Sequence, residues 1–390
     1  MIPYGRQDIS QADIDAVVDV LQSDFLTQGP RVPEFEQALC EATGAAHCVV
    51  SNSATSSLHI ACRALGVGPG DIVWTSDITF LASANCALYC GADVDFVDID
   101  PRTYNMSPVA LEQKLRDARD NGQPLPKVVI PVHLCGQSCE MESIHALSKE
   151  YGFAIIEDAA HAIGARYRDE PVGNCRYCDI AVFSFHPVKI VTTGEGGAVT
   201  TNNAELARRM QLLNNHCMTR DSGEMTHEPD GPWYYQQIDL GYNYRMTEMQ
   251  AALGLSQLSR LDVWVTQRNR LAERYDRLLS HLPVQTPWQH PDSYSARHLY
   301  VIRTPEEIGA EGHRRVFEAL HAGGIGVNLH YIPLHTQPYF ADVKGVRGSW
   351  PEADRYYRQA ISLPLFHHMT NGQQDEVVSV LADSIASASG

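Results

Sequence analysis

No stretch of the sequence approaches the roughly 18 consecutive apolar residues that a membrane-spanning helix needs. The nearest, residues 81–97, is interrupted by Ser83, Asn85, Asp93 and Asp95. Basic charge is also scarce: 30 Lys and Arg stand against 47 Asp and Glu, a formal net charge of −17. A chain this acidic, without a basic block, lacks the electrostatic footprint of a nucleic-acid binder. The same balance means that an anionic ligand has to be held by backbone N–H groups and a few local cations. The opening residues MIPYGRQDISQ contain no basic stretch followed by an apolar run. No secretory signal is therefore expected, and the expected location is the cytoplasm. The 10 cysteines are spread across the 390 residues and read as reduced thiols, not as a disulfide framework. One pair, Cys175 and Cys178 in CRYC, has metal-ligand spacing, and no second CxxC accompanies it. Zinc ligands and ordinary packed thiols are the two readings; no metal centre is expected elsewhere.

What is present is an ordinary globular composition, 44% hydrophobic and 20% charged over 390 residues. That length suits two or three domains at about 150 residues each. From residue 11 to about 255, helical and apolar segments alternate. Asp13 to Leu21 carries Ile14, Val17, Val18 and Leu21 on one face, and Pro33 to Thr43 carries Phe35 and Leu39 before a Gly44 stop. Short apolar runs follow: HCVVS, DIVWT, DVDFVDI, KVVIPVHL, FAIIEDAA, DIAVFSF and GAVTT. Helical stretches such as SSLHIACRALG, VALEQKLRDARDNG and MESIHALSKEYG separate most of them. This alternation predicts an α/β layer around a largely parallel sheet. GAVTT follows DIAVFSF too closely for a helical crossover, which suggests one antiparallel neighbour. Near residue 255 the character changes. One long helix is expected from Glu248 to about Leu282, then a strand at HLYVIR and a helix from Gly312 to Ala322. The expected organisation is a large α/β domain over 1–254, with a substrate-contacting segment at 1–30, and a smaller α+β domain over 255–390. The polar, Gly/Pro-punctuated stretch 219–237 reads as a long loop. Its Trp233, Tyr234 and Tyr235 suit either a substrate or a subunit interface.

The chemistry concentrates in three places. In IIEDAAHAIGA, Asp158 ends an apolar strand, where open α/β sheets bind ligands. An acid there can cap a helix, bind a metal or pair with a cationic ring. In SFHPVKIVTTGEGG, Lys189 lies between a strand and a Thr/Gly-rich turn, with no acid nearby until Glu195. Burial there would depress its pKa, the usual origin of a Schiff-base lysine. A Schiff-base lysine together with an Asp for a pyridinium nitrogen is what pyridoxal phosphate requires. In SNSATSSLHIA, Ser53, Thr55, Ser56 and Ser57 precede a helix. They read either as a cap or as an anion site made from hydroxyls and free amides. Ser184 can add a hydroxyl, and Phe80 suits either the core or the face of a cofactor ring.

LTQGPRVPEFE (26–36), NSATSSLH (52–59), EDAAHAIGA (157–165), SFHPVKIVTTGEGG (184–197) and GYNYRMTEMQAALGLSQL (241–258) are long motifs in a fixed order. In these the chain resembles the sugar-nucleotide aminotransferases of the DegT/DnrJ group. That group lies within fold type I of the pyridoxal-phosphate-dependent transferases, the aspartate aminotransferase-like fold. Within it, PWYYQQ, HYIPLHTQPYF (330–340) and ISLPLFHHMT (361–370) look most like the enzymes acting on UDP-4-keto-6-deoxyhexoses in pseudaminic acid biosynthesis. The resemblance implies pyridoxal 5'-phosphate as cofactor, a UDP-keto-sugar and L-glutamate as substrates, and a homodimer with shared active sites. It implies Lys189 as the Schiff-base lysine and proton carrier, Asp158 at the pyridine nitrogen and His161 at the ring oxygen. Ala54, Thr55 and Ser184 would hold the phosphate, joined by Asn243 from the neighbouring subunit. Tyr4, Phe25, Leu26, Thr27, His330, Tyr331 and Pro333 would contact the nucleotide sugar. His161 can alternatively only orient Asp158, and Asn243 can be a turn residue. Some members of the group have His at the lysine position and dehydrate their substrate; the lysine here points away from that chemistry. A different sugar ketone, or a non-catalytic cofactor-binding regulator, are the competing readings.

Overall fold

The structure, a computed structural model, describes every residue except 344, 347, 389 and 390. The seven apolar runs all form strands of one sheet: β1 (His47–Ser51), β2 (Ile72–Ser76), β3 (Asp93–Val97), β4 (Val128–Ile130), β5 (Ala154–Asp158), β6 (Ile180–Ser184) and β7 (Gly197–Thr201). Their spatial order is β1-β7-β6-β5-β4-β2-β3. Six strands point one way, and β7 runs antiparallel to both β1 and β6. The residues of these strands are almost wholly buried, as continuous Val/Ile runs require when helices cover both faces. Residues 54–64, 108–120 and 141–151 form the expected helices. No helix among the described residues is long and apolar enough to cross a membrane.

Two local expectations are overturned. The helix Gln11–Leu21 forms, but its apolar stripe faces outward: Ile14 is 47%, Val18 40% and Leu21 55% exposed. Its buried side includes Asp13, because that carboxylate accepts from Ser256 Oγ at 2.6 Å, Gln257 Nε2 at 2.8 Å and the Arg260 guanidinium. A carboxylate with these partners satisfies its buried oxygens, so this one acid turns inward while Asp15 and Asp19 stay exposed. The long helix after Glu248 is two helices, Glu248–Leu258 and Leu261–Leu279. Ser259 Oγ donates to the Ser256 carbonyl at 2.7 Å and Arg260 leaves helical geometry at φ −106°, ψ 3°. The turn lets Arg260 reach Asp8 and Asp13.

The C-terminal part packs around its own apolar cluster, which includes Leu271, Tyr275, Tyr300, Val316, Leu320, Ile361 and Leu381. The strand expected at HLYVIR covers Tyr300–Arg303 and pairs antiparallel with Ala360–Leu363. Ile2 belongs to this cluster as well: its amide donates to Gly324 O at 2.8 Å, and Gly326 N donates to its carbonyl at 2.7 Å.

The C-terminal part is tied to the end of β2 by a histidine. His335 Nδ1 lies 2.6 Å from Asp77 Oδ2, its backbone N–H donates to Asp77 Oδ1 at 3.0 Å, and its ring stacks on Trp350. The Asp77 carboxylate holds the imidazole above its ordinary value. A group whose pKa is higher folded than unfolded stabilises fully below the unfolded value, about 6.5 for His, and loses that stabilisation as pH rises through the folded value. His335→Gln is therefore expected to lower Tm most in mildly acidic buffer, with the gap to wild type closing as pH rises. Thermal melts of both proteins across that range check this; a gap independent of pH would contradict it.

Candidate active site

The strands end at one edge of the sheet, and a cleft of about 550 Å³ opens there. Asp158 ends β5 and Ser184 ends β6; Gly197, at the start of β7, sits between Ser184 and Ser51 in register. Tyr4, Ala54, Thr55, Phe80, Asp158, His161, Ser184, Lys189, His330 and Tyr331 all line the cleft. Segments far apart in sequence thus converge on one space.

Asp158 is buried, with its oxygens committed: Ser83 Oγ donates to Oδ2 at 2.7 Å and Ala160 N to Oδ1 at 3.1 Å. Burial nevertheless pushes its pKa up, against the pull of Ser83, Ala160, Lys189 and His133. Lys189 is half-buried, and desolvation pushes its amine down to about 7, with Asp158 raising it. The same low-polarity environment thus moves both groups away from their charged forms. Behind the strand, His133 Nε2 lies 2.5 Å from Glu157 Oε1. Although burial opposes it, the Glu157 carboxylate raises His133 to about 10, so a fixed cation stands behind Asp158.

His161 accepts from the Cys135 amide at Nδ1 (3.3 Å) and lies 3.1 Å from the Tyr331 hydroxyl at Nε2. Its ring also packs against His298 at 4.5 Å, and burial with the nearby Lys189 drives its pKa well down. It is neutral, and Nε2 is left to carry the proton. Phe80 is 55% exposed and tilts toward Tyr331 at 6.0 Å, so it lies at the cleft mouth and not in the core. Tyr4 faces His330 at 5.5 Å, while His330 Nδ1 bonds Ser362 Oγ at 2.8 Å.

Ser53 caps the helix Ala54–Ala64: Ser56 N donates to its Oγ at 3.1 Å and Ser57 N to its carbonyl at 3.0 Å. The amides of Ala54 and Thr55 have no intrahelical acceptor, as the first amides of any helix lack one. Ala54, Thr55 and Ser184 all line the cleft, and a helix start flanked by hydroxyls could hold an anion there without a basic side chain. Gly197 makes room for it, since a Cβ there would lie 2.5 Å from Ala54 N.

These residues fit pyridoxal phosphate: an amine of lowered pKa, a positioned buried carboxylate for a cationic ring nitrogen, and a helix terminus for the phosphate. Phe25, Leu26, Thr27, Pro333 and Asn243 are not among the residues lining the cleft. Phe25 and Leu26 are about half exposed, Thr27 bridges Thr247, and Pro333 is buried beneath the turn before His335. Asn243 is exposed and bridges Asn215, with Tyr242 and Tyr244 stacked on each other beside it. Loop 219–237 is closed by pairing of Met218–Thr219 with Gln236–Gln237, and its Trp233 is 72% exposed. Cys175 donates to Thr200 O at 3.3 Å and Cys178 to Glu157 Oε2 at 3.0 Å; all 10 cysteines are free thiols. Sequence reasoning missed Ser83, Thr79 and His298. Ser83 lies in ASANCALY, among small residues that give no hint of a bond to Asp158, although Thr79 four residues earlier bonds its Oγ at 2.7 Å. A larger recess of about 840 Å³ lies along β3, beside Asp71, Asp95 and Lys114, away from all of these groups.

Ser83→Ala removes a hydrogen bond to a buried carboxylate, a contact worth about 1.5–3 kcal/mol. Affinity of the apoprotein for pyridoxal phosphate is expected to fall roughly ten- to a hundredfold. A fluorescence titration that leaves the Kd unchanged would show that Ser83 does not orient Asp158.

Comparison with known proteins agrees with this geometry. Residues 7–382 match the model of the DegT/DnrJ/EryC1/StrS aminotransferase family. The chain is 37% identical over 390 residues to the spore coat polysaccharide biosynthesis protein SpsC of Bacillus subtilis, covering 99% of this chain and 98% of SpsC. It is 38% identical over 370 residues to a UDP-4-amino-4,6-dideoxy-N-acetyl-β-L-altrosamine transaminase of Campylobacter jejuni, covering 95% and 93% of the two chains. Among solved structures it resembles Helicobacter pylori PseC, an aminotransferase of pseudaminic acid biosynthesis, with a TM-score of 0.90 at 31% identity over 99% of each chain. It also resembles the sugar aminotransferase Spr1654 of Streptococcus pneumoniae, solved in PLP and PMP forms; the PMP form has a TM-score of 0.89 at 30% identity over 100% of both chains. Fold, cleft and sequence agree: the chain belongs to the DegT/DnrJ/EryC1/StrS aminotransferase family.

Proposed function

We propose that this sugar aminotransferase moves the amino group of L-glutamate to the C4 ketone of a UDP-4-keto-6-deoxy-N-acetylhexosamine. The product is UDP-4-amino-4,6-dideoxy-N-acetyl-β-L-altrosamine, a precursor of pseudaminic acid. The observation that carries the reading is Lys189 and Asp158 in one cleft, the amine lowered to about 7 and the carboxylate positioned by Ser83. Pyridoxal phosphate, when bound, supplies a carbonyl that takes up the amino group and a ring that accepts the electron pair of the broken C–H bond. Lys189 Nζ takes the proton from the donor carbon and returns one to the sugar carbon, a task suited to a pKa near working pH. Asp158 holds the ring nitrogen in its protonated form. Ala54, Thr55 and Ser184 bind the phosphate, and His161, held by Cys135 N and Tyr331, donates toward the ring oxygen. Tyr4, His330 and Tyr331 bound the space left for the sugar.

Names of relatives similar over nearly the whole chain support the sugar nucleotide. Two chains per active unit complete the reading, with Asn243 and the Phe25–Thr27 segment serving a neighbour's cleft. The exposed Phe25, Leu26, Trp233, Tyr235 and Leu240 suit burial in such an interface. SpsC favours a second reading, the same transfer to a different keto-sugar of a surface polysaccharide.

Two assays test this. L-glutamate should bleach the visible absorption of the purified enzyme, and the product formed from the UDP-4-keto sugar should carry one amino group at C4 by mass and NMR. Transfer only to other keto-sugars would refute the substrate. No spectral change with any amino donor would refute transamination.

A further inference from the structure

The seam where the N-terminal segment meets the C-terminal part holds a cluster that the aminotransferase chemistry does not use. Asp8 lies against two consecutive histidines of ISLPLFHHMT. His368 Nε2 is 3.0 Å from Asp8 Oδ1, and His367 Nε2 is 3.2 Å from Asp8 Oδ2. The three ligand atoms all lie within 4.8 Å of one another. Zinc bonds of about 2.0–2.2 Å place tetrahedral ligand atoms roughly 3.3–3.5 Å apart, so little movement is needed to admit an ion.

His367 supplies the decisive detail. It is only 9% exposed, and its Nε2 is buried without a hydrogen-bond partner, although a carboxylate oxygen is 3.2 Å away. The His367–Asp8 contact has the distance of an ion pair but not the geometry of an aligned hydrogen bond, which leaves this buried ring nitrogen open to an ion placed between the two groups. Trp264 fixes that ring at 4.9 Å between centroids, so its orientation is set before anything binds. His368, with its side chain 69% exposed, leaves an open approach from solvent. Arg260 shares Asp8 but also binds Asp13, so two carboxylates surround one guanidinium and net negative charge remains. A ligating carboxylate held from outside in this way is the common second layer of protein metal sites.

We propose that Asp8, His367 and His368 form a binding site for one divalent transition-metal ion of the zinc class, remote from the cofactor cleft. None of the three lines that cleft. Two nitrogens and one carboxylate oxygen leave a fourth position for water. The ion would clip the segment that carries Tyr4 to the C-terminal part, whose Leu365 N donates to Tyr4 O at 3.0 Å.

The test uses the full-length, untagged enzyme with its cofactor, dialysed against chelator and titrated with Zn²⁺ by calorimetry, with Co²⁺ as an optical probe. Wild type is expected to bind one equivalent and to show the visible bands of tetrahedral Co²⁺. His368→Ala, at an exposed position that leaves packing intact, is expected to weaken binding by more than the roughly 10–100-fold that loss of an outer partner costs. Asp8→Asn should weaken it as well, and Zn²⁺ should raise Tm in wild type only. The proposal falls if wild type binds no Zn²⁺. It also falls if His368→Ala binds as tightly as wild type, which would place the ion elsewhere, such as at His161 and His298.

Discussion

Lys189→Ala is expected to lower amino transfer by at least about 10⁴-fold, the upper range for loss of a positioned acid–base group. In the proposed reaction the same side chain would both hold the cofactor and move the proton in each half, so no second group is placed to take over. Asp158 is acidic and engaged by Ser83, and His161 is neutral and held between Cys135 N and Tyr331. Lys189→Arg should fail equally. A guanidinium keeps its proton throughout the usable pH range and cannot exchange it at a carbon. Single-turnover rates with L-glutamate, read beside an unchanged Tm, decide the matter. Near-normal rates in either variant would remove Lys189 from the reaction.

Asp158→Asn is expected to cost about 10²–10³-fold in kcat, the scale found when one preorganised electrostatic group is lost. The amide is nearly isosteric: its oxygen can still accept from Ala160 N while its NH2 donates to the Ser83 hydroxyl, so the fold should survive. What disappears is the negative charge at the end of β5, with the His133–Glu157 pair behind it unchanged. Without that charge no group of this chain would hold a bound pyridine nitrogen in its protonated form, the form in which the ring would accept electrons. Affinity for pyridoxal phosphate should fall as well, by less than kcat, because Ala54, Thr55 and Ser184, the residues proposed to hold the phosphate, are untouched. A kcat within about tenfold of wild type would show that Asp158 only positions the ring.

The sheet was legible because fully buried strands leave unbroken Val/Ile runs, and β7 betrayed its direction by following β6 too closely for a crossover. Lys189, Asp158 and the Ser53–Ser57 cap were legible because strand ends and helix starts are local features with local signatures. The link from Ser83 to Asp158 was not, since it joins residues 75 positions apart through a helix of small side chains. The outward face of the first helix was misread for a related reason. Periodicity shows that a face is apolar but not what it meets, and Asp13 finds its partners on a helix more than 240 residues away. The break at Ser259 and Arg260 carries no Gly or Pro; it arises from the side-chain bonds of those two residues.

Ile2 is zipped against Ile325, and the carbonyl of Tyr4 waits for the amide of Leu365. On a ribosome moving at about 5–20 residues per second, that leaves the first residues without their partners for roughly 20–70 s after they emerge. The main sheet can assemble in that interval, since its last strand ends at Thr201. Tyr4 reaches its place only when the final segment arrives. Until then one wall of the cleft is missing, so the nascent chain can complete its scaffold well before it completes its cleft.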